Sequence, residues 1–258
     1  MPTIEAVLVN HNTSLFSELA VRSLLATESG SDLRLTVYDN ASRDDSDALR
    51  QFAVERGFTY TTTGLTTQEE ENSHGELLRR FTLDNPTATH LLFLDADIRF
   101  GEPDTIRRML AMLDDPSLYG VQARLVFWAQ EALGWIPPVT TRREVTRGSG
   151  ETGIIHPRPH PFCLLLRNDE VLQNVAQHVG FSCAWRFAVD VDHAGWFDTF
   201  ALAHAALRAH GLDFGVAEAA VLHYANTIAE SKTNRELYEQ KLLHAVGHLQ
   251  TLRAAKEV

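Results

Sequence analysis

Short apolar runs alternate with amphipathic stretches along the first part of the chain. Apolar runs bounded by polar residues are typical of strands, and the stretches between them repeat apolar positions with helical spacing. The pattern predicts strands at residues 4–9, 33–38, 58–62 and 91–95, and helices at 15–26, from the polar cluster 39–42 to about 56, and at 72–83. Strands that alternate with helices predict an α/β fold with a mostly parallel, Rossmann-like sheet flanked by helices.

The second part of the chain is less regular. It predicts helices at residues 103–113, 202–210 and 234–255, and strands at 119–128, 162–166 and 216–222. Between residues 131 and 161 no periodicity is visible, and prolines, glycines and arginines are frequent. A long segment of this kind is usually functional or disordered. We therefore expect a single domain, 1–258, with a flexible segment at 131–161.

Composition narrows the class of protein. Hydrophobic residues make up 44% and charged residues 22%, which is ordinary for a soluble globular protein. No apolar run is long enough to span a bilayer, and the first residues do not resemble a signal peptide, so we expect a cytoplasmic protein without an integral membrane segment. A formal charge of −11 argues against nucleic acid as a partner. Cys163 and Cys183 lie in apolar surroundings and are expected to be reduced core thiols.

Two carboxylates follow the apolar run that ends the predicted strand at 91–95. In an extended chain, Asp95 and Asp97 would lie on the same side, because side chains alternate with period two. Two acids this close repel each other unless a cation lies near them, and hard oxygen ligands suit Mg²⁺ or Mn²⁺. A solvated strand end or a helix cap is the simpler alternative for such a short motif.

Four segments, taken in their order and spacing, resemble the family 2 glycosyltransferases. They are VLVNHN at 7–12, VYDNASRD at 37–44, NSHG at 72–75 and LFLDAD at 92–97. The resemblance is strongest over 4–101 and returns over about 162–235. It implies a GT-A fold in which 1–101 binds a nucleotide sugar and 102–258 forms the acceptor side. It also implies transfer of the sugar from a nucleoside diphosphate, usually with inversion at the anomeric carbon.

The resemblance assigns the nucleoside pocket to the ends of the first two strands. It implies that Asp39 accepts a hydrogen bond from the base of a uridine or thymidine donor and that Asn10 and Asn12 line the same pocket. Asp39 also suits an Asx turn or a helix cap, and the two asparagines also suit a turn. Asn72, His74 and Gly75 are expected to precede a helix whose amides face the donor, although they also suit an ordinary helix start.

The metal ligands follow from the same resemblance. Asp97 is implied as the direct ligand, and Asp95 as its partner, which contacts the ribose or reaches the metal through water. His223, after a late strand, is implied as a third ligand or as a contact to the diphosphate, and Lys232, in a following loop, as a phosphate contact. A solvated or structural role is the alternative for both His223 and Lys232.

An inverting transfer needs a base that takes the proton from the acceptor hydroxyl. The resemblance favours Asp198, followed by Asp192 and Asp190, although Phe197 stands where the family usually has Glu. Asp198 also suits the N-cap of its helix. Arg158, in the irregular segment, is a candidate for binding an anionic acceptor.

The sequence therefore predicts a metal-dependent inverting glycosyltransferase that uses a UDP- or dTDP-sugar, a small-molecule or saccharide acceptor, and Mn²⁺ or Mg²⁺. A nucleotidyltransferase is an alternative, but 10–14 lacks the Gly-rich basic loop of that class. A catalytically silent nucleotide-sugar-binding protein is a second alternative. The acceptor and the oligomeric state are not predicted.

Overall fold

Among the described residues, eight strands form one sheet with helices on both of its faces. The computed structural model describes residues 3–28, 32–63, 70–128, 143–146, 152–155, 158–186, 195–225 and 227–255. The strands of the first half are β1 Ile4–Asn10, β2 Leu33–Asn40, β3 Thr59–Thr63, β4 His90–Asp95 and β5 Ile98–Phe100. Those of the second half are β6 Leu118–Phe127, β7 Arg143–Thr146, β8 Thr152–Ile155, β9 Cys163–Arg167, β10 Ala184–Arg186, β11 Gly195–Phe197 and β12 Asp213–His223.

Helices connect these strands. They are α1 Ser14–Thr27, α2 Asp47–Arg56, α3 Glu70–Asp84, α4 Thr105–Met112, α5 Glu170–His178, α6 Ala201–Ala209, α7 Thr227–Thr233 and α8 Arg235–Ala254. Among the described residues, no helix has both the length and the apolar composition that crossing a membrane requires. Both cysteines are buried and neither forms a disulfide, as the sequence predicts.

The strand order in the large sheet is β3-β2-β1-β4-β9-β6-β12-β5. β1 pairs in parallel with β2 and β4, β2 with β3, and β6 with β12. β9 runs antiparallel to both of its neighbours, β4 and β6, and β5 runs antiparallel to β12. The predicted α/β fold with a mostly parallel sheet is confirmed, with β9 and β5 as the reversed strands.

Alternating side chains of the central strands bury both faces of the sheet. From β1, Ile4, Ala6 and Leu8 enter the core that α1, α2 and α4 cover, whereas Val7 enters the core beneath α3, α5 and α6. Burial on two faces explains why these strands are almost continuously apolar. A third cluster packs α8 against α1 and the end of β12, through residues such as Phe16, Leu222 and Leu249.

Three sequence predictions need correction. The segment 131–161 is not wholly irregular, because β7 and β8 pair antiparallel within it. The helix after the 39–42 cluster begins at Asp47. Helix α5 was not predicted, although it has a clear start signal, since the Asp169 side chain accepts a hydrogen bond from the Leu172 amide at 2.9 Å.

Candidate metal centre and its cavity

One edge of the sheet collects the candidate site residues. The carboxyl ends of β1, β4, β6 and β12 meet there, and the reversed strand β9 brings its amino end to the same edge. The Asp95 amide donates to the Phe162 carbonyl at 2.9 Å, and the Tyr224 amide donates to the Asp97 carbonyl at 2.9 Å. The two acids are thus held between the start of β9 and the end of β12.

Asp95, Asp97 and His223 form a compact cluster at this edge. His223 Nε2 lies 3.0 Å from Asp97 Oδ1 and 3.6 Å from Asp95 Oδ2. The hydroxyl of Thr227 donates to the other oxygen of Asp97 at 3.0 Å. The two carboxylates do not converge through the alternation of a strand, because β4 ends at Asp95 and residues 96–97 form a turn. The prediction that strand alternation places both acids on one side is therefore wrong, although the acids do lie close together.

The charges of this cluster shift the pKa values of its members. Burial raises the pKa of Asp95, and the neighbouring Asp97 charge adds to that rise. Burial acts the same way on Asp97, but the charge and hydrogen bond of His223 and the Thr227 hydroxyl hold its pKa below the ordinary value. Burial opposes protonation of His223, yet the two carboxylates raise its pKa. The cluster thus favours a positive charge beside the buried Asp97 and the partly buried Asp95.

The donor set fits a divalent cation. One ligand atom from each of Asp95, Asp97 and His223 lies within 4.8 Å of the other two. Carboxylate oxygens suit Mg²⁺ and Mn²⁺, and an imidazole nitrogen suits transition metals. His223 is held in place by stacking, since its ring is nearly parallel to those of Phe162 and Phe127 at centroid distances of 5.5 and 6.3 Å.

A cavity of about 850 Å³ opens over the cluster. Its volume is within the range of small-molecule sites. Besides the three cluster residues, polar side chains from several elements line it: His11, Thr13, Asn40, His74, His160, Thr227 and Lys232. Four of the histidines that the structure describes therefore face one cavity, a concentration that the sequence pattern did not reveal.

His160 is a site residue that sequence reasoning missed. Its amide donates to the buried Gln122 side chain of β6 at 2.6 Å, and its Nδ1 atom lies 3.9 Å from Asp95 Oδ2. Burial of the ring nitrogen and the nearby charge of Arg158 hold the pKa of His160 well below its usual value. The only sequence signal was its place between two prolines, Pro159 and Pro161, just before β9.

Known structures share this architecture, although no protein-family model matches the chain and no curated protein matches its sequence. The mannosyltransferase PcManGT from Pyrobaculum calidifontis, solved with GDP-Man and Mn²⁺, is similar with a TM-score of 0.57 at 15% identity, covering 98% of this chain and 74% of that one. Glucosyl-3-phosphoglycerate synthase from Mycobacterium tuberculosis, solved with phosphoglyceric acid, gives a TM-score of 0.51 at 17% identity, covering 95% and 80%. The chain has the GT-A fold.

Within this GT-A fold, the asparagine side chains at and just after the end of β1 form hydrogen bonds within the protein. The amide of Asn10 is fully buried, donates to Ser14 and Ser42, and accepts from Thr13 and Ser17 at 2.8–3.1 Å. A direct contact between Asn10 and a donor would break one of these bonds. Asn12, in a left-handed conformation with φ of 54°, accepts from the Arg43 amide at 2.7 Å.

Asp39 lies beside the cavity rather than on its lining. Its carboxylate accepts from the Tyr60 hydroxyl at 2.6 Å and from the Ser42 amide at 3.1 Å, and Arg50 lies 3.5 Å away. Burial acts to raise the pKa of Asp39, but these hydrogen bonds and the arginine hold it below the ordinary value. Asp39 is therefore a fixed anion, and its neighbour Asn40 faces the cavity.

The NSHG segment lies inside a helix and does not precede one. Asn72, His74 and Gly75 fall in the first turns of α3, which begins at Glu70, so they are part of the helix that was predicted at 72–83 and do not precede it. His74 Nε2 lies 3.6 Å from Asp95 Oδ1. Gly75 packs against backbone, since a Cβ there would meet the Phe181 carbonyl at 2.5 Å.

Lys232 lies in helix α7 and not in a loop, which corrects the prediction for 231–232. It is exposed and lines the cavity. The buried Lys241 of α8 fixes the chain before α7, because its ammonium donates to the Ala225 carbonyl at 2.6 Å and pairs with Glu230. Helix α7 is thus anchored where it lines the cavity over the candidate metal centre.

Asp198 is paired with a buried arginine. Its Oδ2 atom accepts from Arg158 at 2.5 Å, its side chain is 40% exposed, and it is not the N-cap of α6, a position that Phe200 occupies. The Arg158 charge also lowers the pKa of Asp95, but neither Arg158 nor Asp198 lines the cavity over the cluster. Asp190 and Asp192 lie outside the described residues.

Proposed function

We propose that the protein is a metal-dependent glycosyltransferase that moves a sugar from a nucleoside diphosphate donor to an acceptor hydroxyl. The observation that carries the proposal is the cluster of Asp95, Asp97 and His223 at the base of a cavity at the carboxyl edge of a GT-A sheet. Ligands of α/β proteins bind in the crevice outside this edge. Asp97 is buried and Asp95 is partly buried, and two carboxylates this close repel each other, so a cation near them is favourable.

In this proposal Asp97 and His223 hold the cation directly, and Asp95 contacts it or the ribose. When bound, Mn²⁺ or Mg²⁺ neutralises the charge that develops on the departing diphosphate. Lys232 adds a second positive charge for the phosphates from the α7 side of the cavity. The net charge of the chain is −11, so these local positive charges are needed to attract an anionic donor.

The nucleoside is proposed to be uridine or thymidine, bound by the half of the chain formed by 1–101. Asp39 is fixed as an anion by Tyr60, Ser42 and Arg50, and a carboxylate with two oxygens retains lone pairs for the base N–H. Asn10 is proposed to hold the end of β1 in place for the nucleoside pocket, because its four hydrogen bonds tie this end to α1 and to Ser42. Asn12 and Asn72 remain predicted donor contacts.

The acceptor is proposed to be a small molecule or a saccharide. It is proposed to approach from the half of the chain formed by 102–258. Asp198 is the proposed base, with Asp192 and Asp190 as its rivals. Direct attack of the acceptor hydroxyl on the anomeric carbon inverts the configuration, so proton NMR of the first product formed gives the expected opposite anomer. Retention of configuration would contradict this part of the proposal.

Calorimetric titration tests the donor and metal assignments together. We expect UDP or dTDP to bind at least about tenfold more tightly with Mn²⁺ than without it, and Asp97→Asn to abolish that gain. Asp114→Asn, which removes an exposed acid of the same type, serves as the control and should bind as wild type does. Equal binding with and without metal in wild type overturns the metal role, and tighter binding of GDP than of UDP or dTDP overturns the pyrimidine assignment.

A further inference from the structure

We propose that His160 is an additional ligand of the cation, so that the centre offers two imidazoles and two carboxylates. The inference rests on the metal site of the proposed function but does not depend on sugar transfer. It concerns a residue that enters the site only because β9 is reversed, which brings the 158–162 segment to the carboxyl edge of the sheet.

Two histidines converge on the same oxygen atom. His223 Nε2 lies 3.6 Å and His160 Nδ1 lies 3.9 Å from Asp95 Oδ2. Both distances are too long for hydrogen bonds. They fall within the range of about 3 to 4.2 Å that separates two ligands sharing a cation with metal–ligand bonds near 2.1 Å. His74 instead approaches the other oxygen, Oδ1, at 3.6 Å.

The Nδ1 atom of His160, which approaches Asp95, is available to bind a cation. Nδ1 is inaccessible to solvent and has no hydrogen-bond partner among the described residues, and the same is true of Nδ1 of His223. A buried polar atom without a partner is costly. In His223 the atom that approaches the acids is Nε2 and not the unpartnered Nδ1, whereas in His160 the unpartnered Nδ1 is itself the atom that approaches Asp95.

The backbone of His160 is fixed, but its ring has room to move. The amide is anchored on Gln122, and the prolines on either side restrict the chain. The side chain is 43% exposed towards the cavity. His160 lies just outside the compact set formed by Asp95, Asp97 and His223. Cation binding therefore requires its ring to close on the three ligands, for which the cavity leaves space.

Two properties distinguish this centre from a site of three ligands. Four protein ligands are enough to hold a cation before any diphosphate arrives. A second imidazole also raises the preference for Mn²⁺ over Mg²⁺, because nitrogen ligands suit transition metals better than Mg²⁺.

Electron paramagnetic resonance of the full-length protein with Mn²⁺ alone, without nucleotide, tests the inference. We expect wild type to bind one Mn²⁺ with modulation from two imidazole nitrogens. His160→Gln should show one imidazole and at least about tenfold weaker Mn²⁺ binding, and Mg²⁺ should compete better against Mn²⁺ in this variant. His178→Gln, at an exposed position at the end of α5, is the matched control and should behave as wild type does. Circular dichroism checks that each variant is folded.

Three outcomes overturn the inference, the first two of which concern the imidazole ligands and the third the order of binding. One is a single imidazole signal in wild type, and another is unchanged Mn²⁺ affinity in folded His160→Gln. The third is wild type that binds Mn²⁺ only after UDP is added. None of these outcomes touches the metal dependence of UDP binding, which the Asp97→Asn titration tests separately. The role of His160 can therefore fail while the proposed metal-dependent binding of UDP stands.

Discussion

The Nε2 atom of His223 lies 3.0 Å from Oδ1 of Asp97, so the end of β12 closes directly on the turn that follows β4. This contact joins two residues that are 126 positions apart in the chain. A cation bound between them should stabilise the folded protein, because the unfolded chain does not hold these ligands together.

Thermal unfolding provides the corresponding measurement. At a Mn²⁺ concentration of about one hundred times the dissociation constant, we expect a gain of about 2.7 kcal/mol, which raises the melting temperature by several degrees and is reversed by EDTA. His223→Gln should lose most of this gain, because it removes the ligand that joins the two strands, whereas Asp114→Asn should keep it. An equal Mn²⁺-induced shift in His223→Gln would count against the assignment.

Replacement of the proposed base should separate binding from transfer. Asp198→Asn keeps the size of the side chain but cannot take a proton, so UDP binding should remain within about twofold of wild type while transfer falls by about a hundredfold or more. Asp213→Asn is a matched control, since Asp213 also pairs with an arginine, Arg208 at 2.6 Å. Normal turnover by Asp198→Asn would move the role to Asp192 or Asp190.

Gly75→Ala should destabilise the fold by about 2 kcal/mol or more, because the added methyl group would lie 2.5 Å from the Phe181 carbonyl and the Ser182 Cα. Gly247→Ala makes the same change inside α8, where nothing lies within 4 Å, and should stabilise by about 0.5–1 kcal/mol. Urea unfolding of both variants gives the comparison. Equal changes in the free energy of unfolding would show that the close approach of α3 to 181–182 does not exclude a methyl group at residue 75.

The buried pair of His204 and Tyr119 predicts a pH dependence of stability. Burial lowers the pKa of His204 to about 4 in the folded protein. The unfolded chain takes up the proton near its ordinary pKa of about 6.5, so the stability contributed by the neutral ring is complete above that pH and is lost as the pH falls towards 4. Between pH 7 and 5 the loss amounts to about 2 kcal/mol.

Urea unfolding of wild type and His204→Gln at both pH values isolates this contribution. The variant loses the 2.7 Å hydrogen bond to Tyr119 and should be less stable at pH 7, but the difference between the two proteins should shrink at pH 5. A difference that stays constant with pH would exclude His204 as the titrating group.

Lys232 supplies a positive charge to the cavity from an exposed position, so its effect should depend on the phosphates of the ligand. Lys232→Gln should weaken UDP binding about threefold to tenfold and leave uridine binding unchanged, with a smaller effect at high salt because exposed charges are screened. Uridine serves as the internal control in the same titration. Equal weakening of both ligands would place Lys232 at the nucleoside instead.

The fold and the acidic part of the site were accessible from sequence because both depend on local pattern. The apolar run that ends at Asp95 and the polar ends of β1 and β2 identify strands and their carboxyl ends without knowledge of the rest of the chain. Asp97 was correctly placed beside Asp95, but for the wrong reason, since a turn brings the two acids together.

The position of His160 at the site could not be predicted from the local sequence pattern. β9 has five residues, and an apolar run of that length has the same pattern whether the strand is parallel or antiparallel. Its direction is set by long-range pairing with β4 and β6. Only the reversed direction places the residues before β9, and not those after it, at the site.

The pairing of β12 with β5 determines when the residues of the candidate metal centre come together during synthesis and folding. Asp97 precedes β5. His223, the proposed nitrogen ligand of the same cation, lies at the end of β12 and is made only after most of the chain. A chain growing on the ribosome therefore carries two closely spaced acids without their histidine until the last strand of the sheet inserts between β6 and β5. Closing so long a loop is slow, so we expect the proposed cation to bind only when folding is complete and not at an early step.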